Sequence, residues 1–559
     1  MNKVFFQLFV LLVFVYLVYP ASAVNVASCQ VLGIQDAVYE LTVGVAGPAC
    51  FNITADNVTL DCNGFAIDAT GGYAIVTNRT GTTIRDCVVD NADLAVNCSS
   101  AEFMRVDGLN VSSGDMLVVD SCHGSAFTDV RCTGICSDAF DIFDASNVTI
   151  VGFIADGGLD TGLYADSVDH MMVSDVFMLD VSDYSISLID STYNVFSDIL
   201  LGQTNEIYNI YLRDASGHNN FTHVDVQNEN AVAVYIEDSD FVTFEDVNCT
   251  VMASMCVLLE NTTGVVLRDV ESFGAPDSGI MISDSWGTVV NGGVMYDTGN
   301  SGVFVYVSDG VVIDGLVTKD TQGLGGFGLL LVGSHGAIIR DVVSIHDKVG
   351  LGLTVSSDDN NLSNVTILCN ASSDSGLVLD SVTGNIIESS RVGGCALSSV
   401  LLASSTGNLF YNNLFNSTVN VLADAANSWN TTYQEGMRVH GVGLYIGGNF
   451  WASPTGDGFS ENCTDADFDG ICDDVYVIDA DNRDWYALSV KAILAWPSDF
   501  VRLMGDAGSG LGGFLTAITP STVSIILGIG TAGALLMLFV GIAYVIRDAA
   551  GRASKKFGV

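Results

Sequence analysis

Positive charge is scarce in this sequence: Lys and Arg number 19 against 65 Asp and Glu, a formal charge of −46. Like charges repel, which excludes nucleic acid and anionic surfaces as partners and makes a basic pocket for an acidic sugar hard to build. Cations are the natural counter-ions. Glutamate is rare beside aspartate, and Asp is the acid that caps turns with its own short side chain. Proline is also rare, with 6 residues, and no Pro/Ser-rich linker precedes Trp496. The stretch of about 475 residues before that point is long for one globular core, so it reads as one elongated unit grown by repetition.

The two ends are apolar. Met1-Asn2-Lys3, a run from Val4 to Tyr19, and Ala21-Ser22-Ala23 follow the order of a secretory signal peptide, placed at residues 1–23. Residues 521–546 carry no charge and exceed the roughly 20 residues a helix needs to cross hydrocarbon. Arg547, Arg552, Lys555 and Lys556 follow, the residues retained on the cytoplasmic side. The expectation is a single-pass cell-surface protein, its bulk outside and residues 547–559 a basic cytoplasmic tail. Gly-rich residues 491–520 would form a flexible stalk.

Fourteen cysteines in an exported chain point to disulfides. Spacing suggests Cys62/Cys87, Cys98/Cys122 and Cys369/Cys395 as staples about one repeat long. It suggests Cys132/Cys136, Cys249/Cys256 and Cys463/Cys472 as local loops, and Cys29/Cys50 as an N-terminal closure. Sequons such as Asn52, Asn78, Asn147, Asn261, Asn364, Asn416 and Asn430 run along the chain, so a glycoprotein is expected. Asn and Thr are equally what strand ladders and turns use.

A repeat dictates the fold. Apolar anchors recur at Phe127, Ile150, Val173 and Phe196, and again at Phe221, Phe244, Leu267, Val290 and Ile313, with 23 residues between members of each set. The series extends to Leu60, Ile84 and Met104 upstream and to Ile339, Ile367, Ile387 and Phe410 downstream. A fixed period of this length marks a solenoid. Each unit holds short runs such as Val234-Tyr235-Ile236 and Val257-Leu258-Leu259, whose β-branched and aromatic residues read as strands. Two positions after the anchor stands Asp, Asn or Gly, as at Asp129, Gly152, Asp175, Asp198, Asp246 and Asp269, residue types that tolerate a left-handed corner. The expected fold is all-β, a right-handed parallel β-helix of about 16 coils, plus one C-terminal transmembrane helix. Its helix spans residues 51–426, between an N-terminal cap at 24–50 and a C-terminal cap at 427–490.

Gly376-Leu-Val-Leu-Asp-Ser-Val-Thr-Gly-Asn385-Ile-Ile and Ser399-Val-Leu-Leu-Ala-Ser-Ser-Thr-Gly-Asn408-Leu-Phe resemble the parallel β-helix (PbH1) repeats of NosD-like proteins. The segment from Cys50 to Gly64 is similar to the first coil of archaeal or other prokaryotic surface β-helix proteins, and Gly447-Gly-Asn-Phe-Trp451 resembles the segment that ends such helices. The resemblance implies a fold and not a reaction. NosD-like proteins are linked with copper-site maturation, but the closest histidine pairs, His218/His223 and His335/His346, are too widely spaced for a compact metal motif.

One local motif has metal-ligand spacing: Asp465, Asp467, Asp469, Gly470, Ile471 and Asp473 match positions 1, 3, 5, 6, 7 and 9 of an EF-hand-type loop, with Ile471 offering its carbonyl. Tyr476 replaces the bidentate Glu of position 12, so Asp474, Asp479 or Asp481 would have to complete the shell. A structural Ca²⁺ is expected there. Carboxylate pairs at Asp138/Asp141, Asp238/Asp240 and Asp358/Asp359 suit acid–base hydrolysis, although an Asp-rich solenoid places such pairs at corners by necessity. The favoured reading is a non-catalytic, membrane-anchored surface rod with a structural, adhesive, or polysaccharide- or partner-binding role in the envelope. The alternative is a membrane-tethered polysaccharide lyase or glycoside hydrolase.

Overall fold

A computed structural model of the protein describes residues 23–202, 208–227, 232–250, 254–323, 325–441 and 443–490. The leader before Ala23, the stalk, the apolar stretch at 521–546 and the basic tail lie outside the described residues. Among the described residues no helix is long and apolar enough to cross a membrane.

Short β-branched runs cannot bury both faces alone, and here each pairs in parallel with its copy one turn on. Val195–Leu201 joins Asn220–Gln227, with Phe196 opposite Phe221, and Asn220–Gln227 joins Thr243–Thr250, with Phe221 opposite Phe244. These anchor strands form one long parallel sheet, sheet A. A second, sheet B, stacks runs such as Tyr208–Arg213, Val232–Glu237 and Val257–Glu260. The result is a parallel β-helix of about 17 turns with almost no helix, about 80 Å long at one strand spacing per turn. Parallel pairing already begins at Val24–Val26, which joins Val38–Leu41.

Like stacks on like inside the coil. Phe196, Phe221 and Phe244 are buried with ring centroids 4.4 Å apart and planes within 4°. The register corrects two expected anchors: Val106 pairs with Phe127, displacing Met104, and Leu362 lies between Ile339 and Ile387, displacing Ile367. All four side chains are buried: Leu362 and Ile367 lie on strands either side of a corner, both pointing inward, and Met104 is the inward residue just before the strand that holds Val106. Apolarity alone therefore does not reveal which strand a residue occupies.

Corners fall where the sequence places them. Asp129, Asp175, Asp198, Asp246 and Asp269 have φ between 49° and 57°, and Gly152 has φ 75°. Buried Asn side chains close another corner. Asn385 and Asn408, the Asn of the two repeat motifs, are fully buried; the backbone N–H and Nδ2 of Asn385 donate to Asn408 Oδ1, and Asn408 donates likewise to Asn427. Such a ladder satisfies polar backbone that the core would otherwise strand. All seven expected disulfides are present.

The last coil is closed by Phe450–Trp451, which pairs with Leu414–Asn416, and by Trp429 and Trp451 packed at 5.6 Å. Asp484 is buried beneath them, accepting hydrogen bonds from Asn449 N at 2.7 Å and Trp451 Nε1 at 2.9 Å. This cover removes an open sheet edge. The Phe stack carries a stability prediction: Phe221→Ala leaves a void between two rings and should cost about 3–5 kcal/mol, read as a lower denaturant midpoint for the turns around it.

Candidate functional site

On sheet B, inward Leu117, Phe140, Leu163, Ile186, Ile210 and Val234 are each followed by a residue that turns outward. Since the side-chain period of a strand is two, the pairing aligns those outward residues in one file: Val118, Asp141, Tyr164, Ser187, Tyr211, Tyr235. Two features emerge on this face.

The first is a carboxylate cluster. Asp138 and Asp141 lie on one strand, Asp138–Phe143, and Asp115 sits one turn before Asp138. Asp115 accepts a hydrogen bond from the Asp138 backbone N–H, and Asp138 Oδ1 accepts one from Thr161 N at 3.1 Å. Burial, then the charges of Asp138 and Asp115, push the Asp141 carboxyl up to about 6. Asp115 is raised too, by burial first and then by Asp138. A carboxyl poised near neutrality beside other carboxylates suits proton transfer.

The second is a row of tyrosines. Tyr184 and Tyr211 stack at 5.5 Å, Tyr211 and Tyr235 at 5.1 Å, and Tyr208 packs at 5.2 Å from Tyr211 and 4.6 Å from Tyr235. Tyr211 Oη donates to Glu237 Oε2 and Tyr235 Oη to Glu260 Oε2, each at 2.7 Å. The Arg213 guanidinium lies 5.6 Å from the Tyr211 ring. Burial, then these hydrogen bonds, raises both phenols, so they stay neutral; Tyr235 is itself buried beneath the row, while Tyr184, Tyr208 and Tyr211 are half-buried and present ring edges.

The other expected pairs are corner residues. Asp240 Oδ1 accepts from Thr263 N at 2.7 Å, Asp238 Oδ1 accepts from Asn261 Nδ2, and Asp358 Oδ1 accepts from Thr383 N at 2.6 Å, while Asp359 has φ 58°. Asp115 escaped notice as a partner of Asp138, although the separation is 23 residues, the repeat itself. The tyrosines escaped because their spacing of 24–27 residues is set by the coils and not by a motif.

At the C-terminal end, Asp465, Asp467 and Asp469 each bring a carboxylate oxygen within 4.8 Å of the others. Gly470 at φ 92° makes the turn, and the Cys463–Cys472 disulfide closes the loop. Asp465 is buried: Oδ2 accepts from Gly470 N at 3.1 Å, while Oδ1 is shut from solvent with no hydrogen-bond donor. That orphaned oxygen fits a cation, and oxygen donors suit Ca²⁺. Of the other expected ligands, Asp473 Oδ2 accepts from Ala466 N at 3.0 Å, and Ile471 bridges Leu488. Arg438 is near enough for Asp465 and Asp469 to oppose the effect of burial, which lowers its guanidinium to about 10, so it supplies part of the countercharge.

A family model described as periplasmic copper-binding protein (NosD) matches residues 202–327 and 317–456. Copper ligands do not accompany the match among the described residues. Every cysteine is in a disulfide, His218 is stacked between Tyr193 and Phe241, and His223 lies between Asp198 and Asp246 at 3.6 and 3.7 Å. Among the described residues, the close group of His, Cys, Asp or Glu side chains is the Asp465 trio, a hard-oxygen set unsuited to copper.

No protein of curated function matches the sequence. Solved structures with some likeness include the catalytic domain of a GH87 alpha-1,3-glucanase in complex with tetrasaccharides, at 10% identity and TM-score 0.32, covering 53% of this chain and 60% of that one. The chain thus spans less than two thirds of the glucanase domain. An alginate lyase from Paenibacillus sp. str. FPU-7 is 15% identical with TM-score 0.23, over 47% of this chain and 88% of that one. A periplasmic alginate epimerase is 12% identical with TM-score 0.28, over 64% and 78%. Likeness at this level says nothing about the chemistry of this chain. The repeat motifs and the coil they build make the chain a right-handed parallel β-helix protein, similar over residues 202–456 to the NosD family.

Proposed function

We propose that the protein is an exported, membrane-held β-helix that binds a neutral glycan along the N-terminal half of sheet B. The observation that carries this reading is the tyrosine row ending in the Asp115–Asp138–Asp141 cluster. Tyrosine rings offer apolar surface to the C–H groups of a sugar, and a phenol oxygen whose proton is held by a glutamate can still accept from a sugar hydroxyl. The sheet B strands from Asp138–Phe143 to Ser398–Ala403 contain no sequon, so glycans carried by the protein would leave this face open. The leader and the apolar run at 521–546 support export and tethering, with the basic tail inside.

The charge of the face selects the ligand. Asp115, Asp138, Asp141, Glu237 and Glu260 border the tyrosines, with Arg213 the one cation named among them. A polyuronate or sulfated chain would be repelled. The full chain should therefore retain neutral polysaccharides in a binding panel and let acidic ones pass. Tyr211→Ala, at a half-buried ring of the row, should weaken retention about tenfold, a loss of about 1.4 kcal/mol. Preference for acidic chains, or no effect of Tyr211→Ala, would refute the reading.

A second reading, cleavage of the bound neutral glycan, is favoured by the elevated Asp141. Near pH 6 its protonated form would give a proton to the glycosidic oxygen while an ionised neighbour acts as base or nucleophile. Cleavage should then fall as pH rises above about 6, and Asp141→Asn should lower it at least 100-fold, the order contributed by a general acid, with retention intact. The same raised carboxyl makes a stability contribution that is full below its ordinary range near 4 and is lost as pH rises through about 6.

We also propose Ca²⁺ at Asp465, Asp467 and Asp469, as support for the C-terminal cap, on the strength of the buried, donorless Asp465 Oδ1. EDTA should lower the melting temperature of the intact protein, and Asp467→Ala should abolish that shift. An unchanged melting curve in EDTA would count against the ion.

A further inference from the structure

The outward file on sheet B changes chemistry after Tyr235. Continuing in register, its members are Leu258, Met281, Phe304, Leu330, Val378 and Leu401, with Gly352 between the last two pairs. Each named side chain is only half-buried, flanked within its own strand by inward residues that are fully buried. They are therefore a second apolar layer on the outside of the sheet. At Gly352 a Cβ would meet the Phe327 ring at 2.5 Å and Leu330 Cδ1 at 2.9 Å, so the neighbouring side chains already lean over that rung. The parallel file two residues on carries Ser283, Tyr306, Val332 and Thr354, with acids only at its ends, Glu260 and Asp380.

In a chain of charge −46, a file uncharged from Leu258 to Leu401, with four consecutive turns, Met281 to Gly352, uncharged in both files, needs a physical account. A monomeric soluble protein rarely leaves so long an apolar patch in water. Leucine, methionine and valine supply no hydrogen bonds, so the glycan chemistry of the tyrosine half does not extend here. Size fits a protein surface. Six turn spacings of about 4.8 Å and strands of six residues give a patch of about 30 by 20 Å. Two copies face to face would bury about 1,200 Å², the threshold of a specific interface. A straight file parallel to the coil axis is also self-complementary across a two-fold axis, and its four central turns, between Glu260 and Asp380, are where two acidic rods can touch without bringing carboxylates together.

We infer that this apolar file is a homodimer interface, its occupant being the same file on a second copy of the chain. Leu330 stands midway along it and meets its own copy whichever way the two rods run. The experiment uses the full chain, in membranes and in detergent. Leu330→Cys should give an oxidised dimer in high yield, whereas Ser174→Cys, on the outer face of sheet A, should not. Sedimentation of the unsubstituted chain should give twice the monomer mass, and Phe304→Asp combined with Leu330→Asp should halve it at an unchanged melting temperature. A monomeric unsubstituted chain overturns the inference, as does a Leu330→Cys yield no higher than that of Ser174→Cys. Should the double aspartate variant fail to fold, the cysteine comparison decides alone. A dimer that survives the double substitution in folded protein places the interface elsewhere and also overturns it.

Discussion

Hydrogen bonding between a strand and its own copy one turn later is the constraint from which the rest of the molecule follows. Once Phe196 is locked opposite Phe221 and Phe221 opposite Phe244, every other position is fixed modulo one turn. Inward residues stack into a column, corner residues recur at one φ, and outward residues line up in files along the axis. Each residue type then acts as one rung of a ladder. The Asn385–Asn408–Asn427 series, its first two members fully buried, illustrates this: a single buried Asn would strand polar groups, whereas a ladder satisfies each in turn.

The same logic explains bulky side chains in a backbone conformation that ordinarily suits glycine. His170, Tyr193, His218 and Phe241 have φ of 56° to 58°, at a corner where later turns use Gly264, Gly287 and Gly310. A left-handed backbone costs an L-residue roughly 1–2 kcal/mol. The four rings stack at 5.5, 4.8 and 5.1 Å, and aromatic pairs contribute about 0.5–1.5 kcal/mol each. Stacking along the ladder offsets about half of the strain, and an isolated aromatic at that corner would have no such compensation. These rings are explained by the fold without assigning them a ligand.

Periodicity made most of the architecture legible in the sequence. The anchors from Phe127 to Ile313, the left-handed Asp and Gly positions and the cysteine pairs all follow from a period near 23 residues. Register was less accessible where inward residues crowd a corner, so Ile367, across the corner from Leu362, and Met104, just ahead of the strand of Val106, stood in for the paired residues. The Asp138/Asp141 pair could be seen because its members share a strand, but its third carboxylate, Asp115, is a neighbour only through the coil. The tyrosine row and the Leu258–Leu401 file were hidden for a related reason. In strands such as Val257-Leu258-Leu259 an outward Leu cannot be distinguished from its inward neighbours until pairing assigns the faces.

Outward positions on sheet B are where this fold leaves chemistry free to vary. Inward positions must fill the column, and corner positions must accept their backbone angle, so neither can change character without disturbing the turns above and below. An outward residue answers only to its two ladder neighbours. Along one file the chain uses that freedom twice, with carboxylates and tyrosines up to Tyr235 and charge-free aliphatic side chains from Leu258 onward. Since backbone pairing is the same on both sides of that boundary, the fold does not require the change. What distinguishes the halves is what each can touch, a hydrated polar ligand for the first and a dry apolar surface for the second. The two proposed contacts can therefore coexist on one sheet without competing for the same turns.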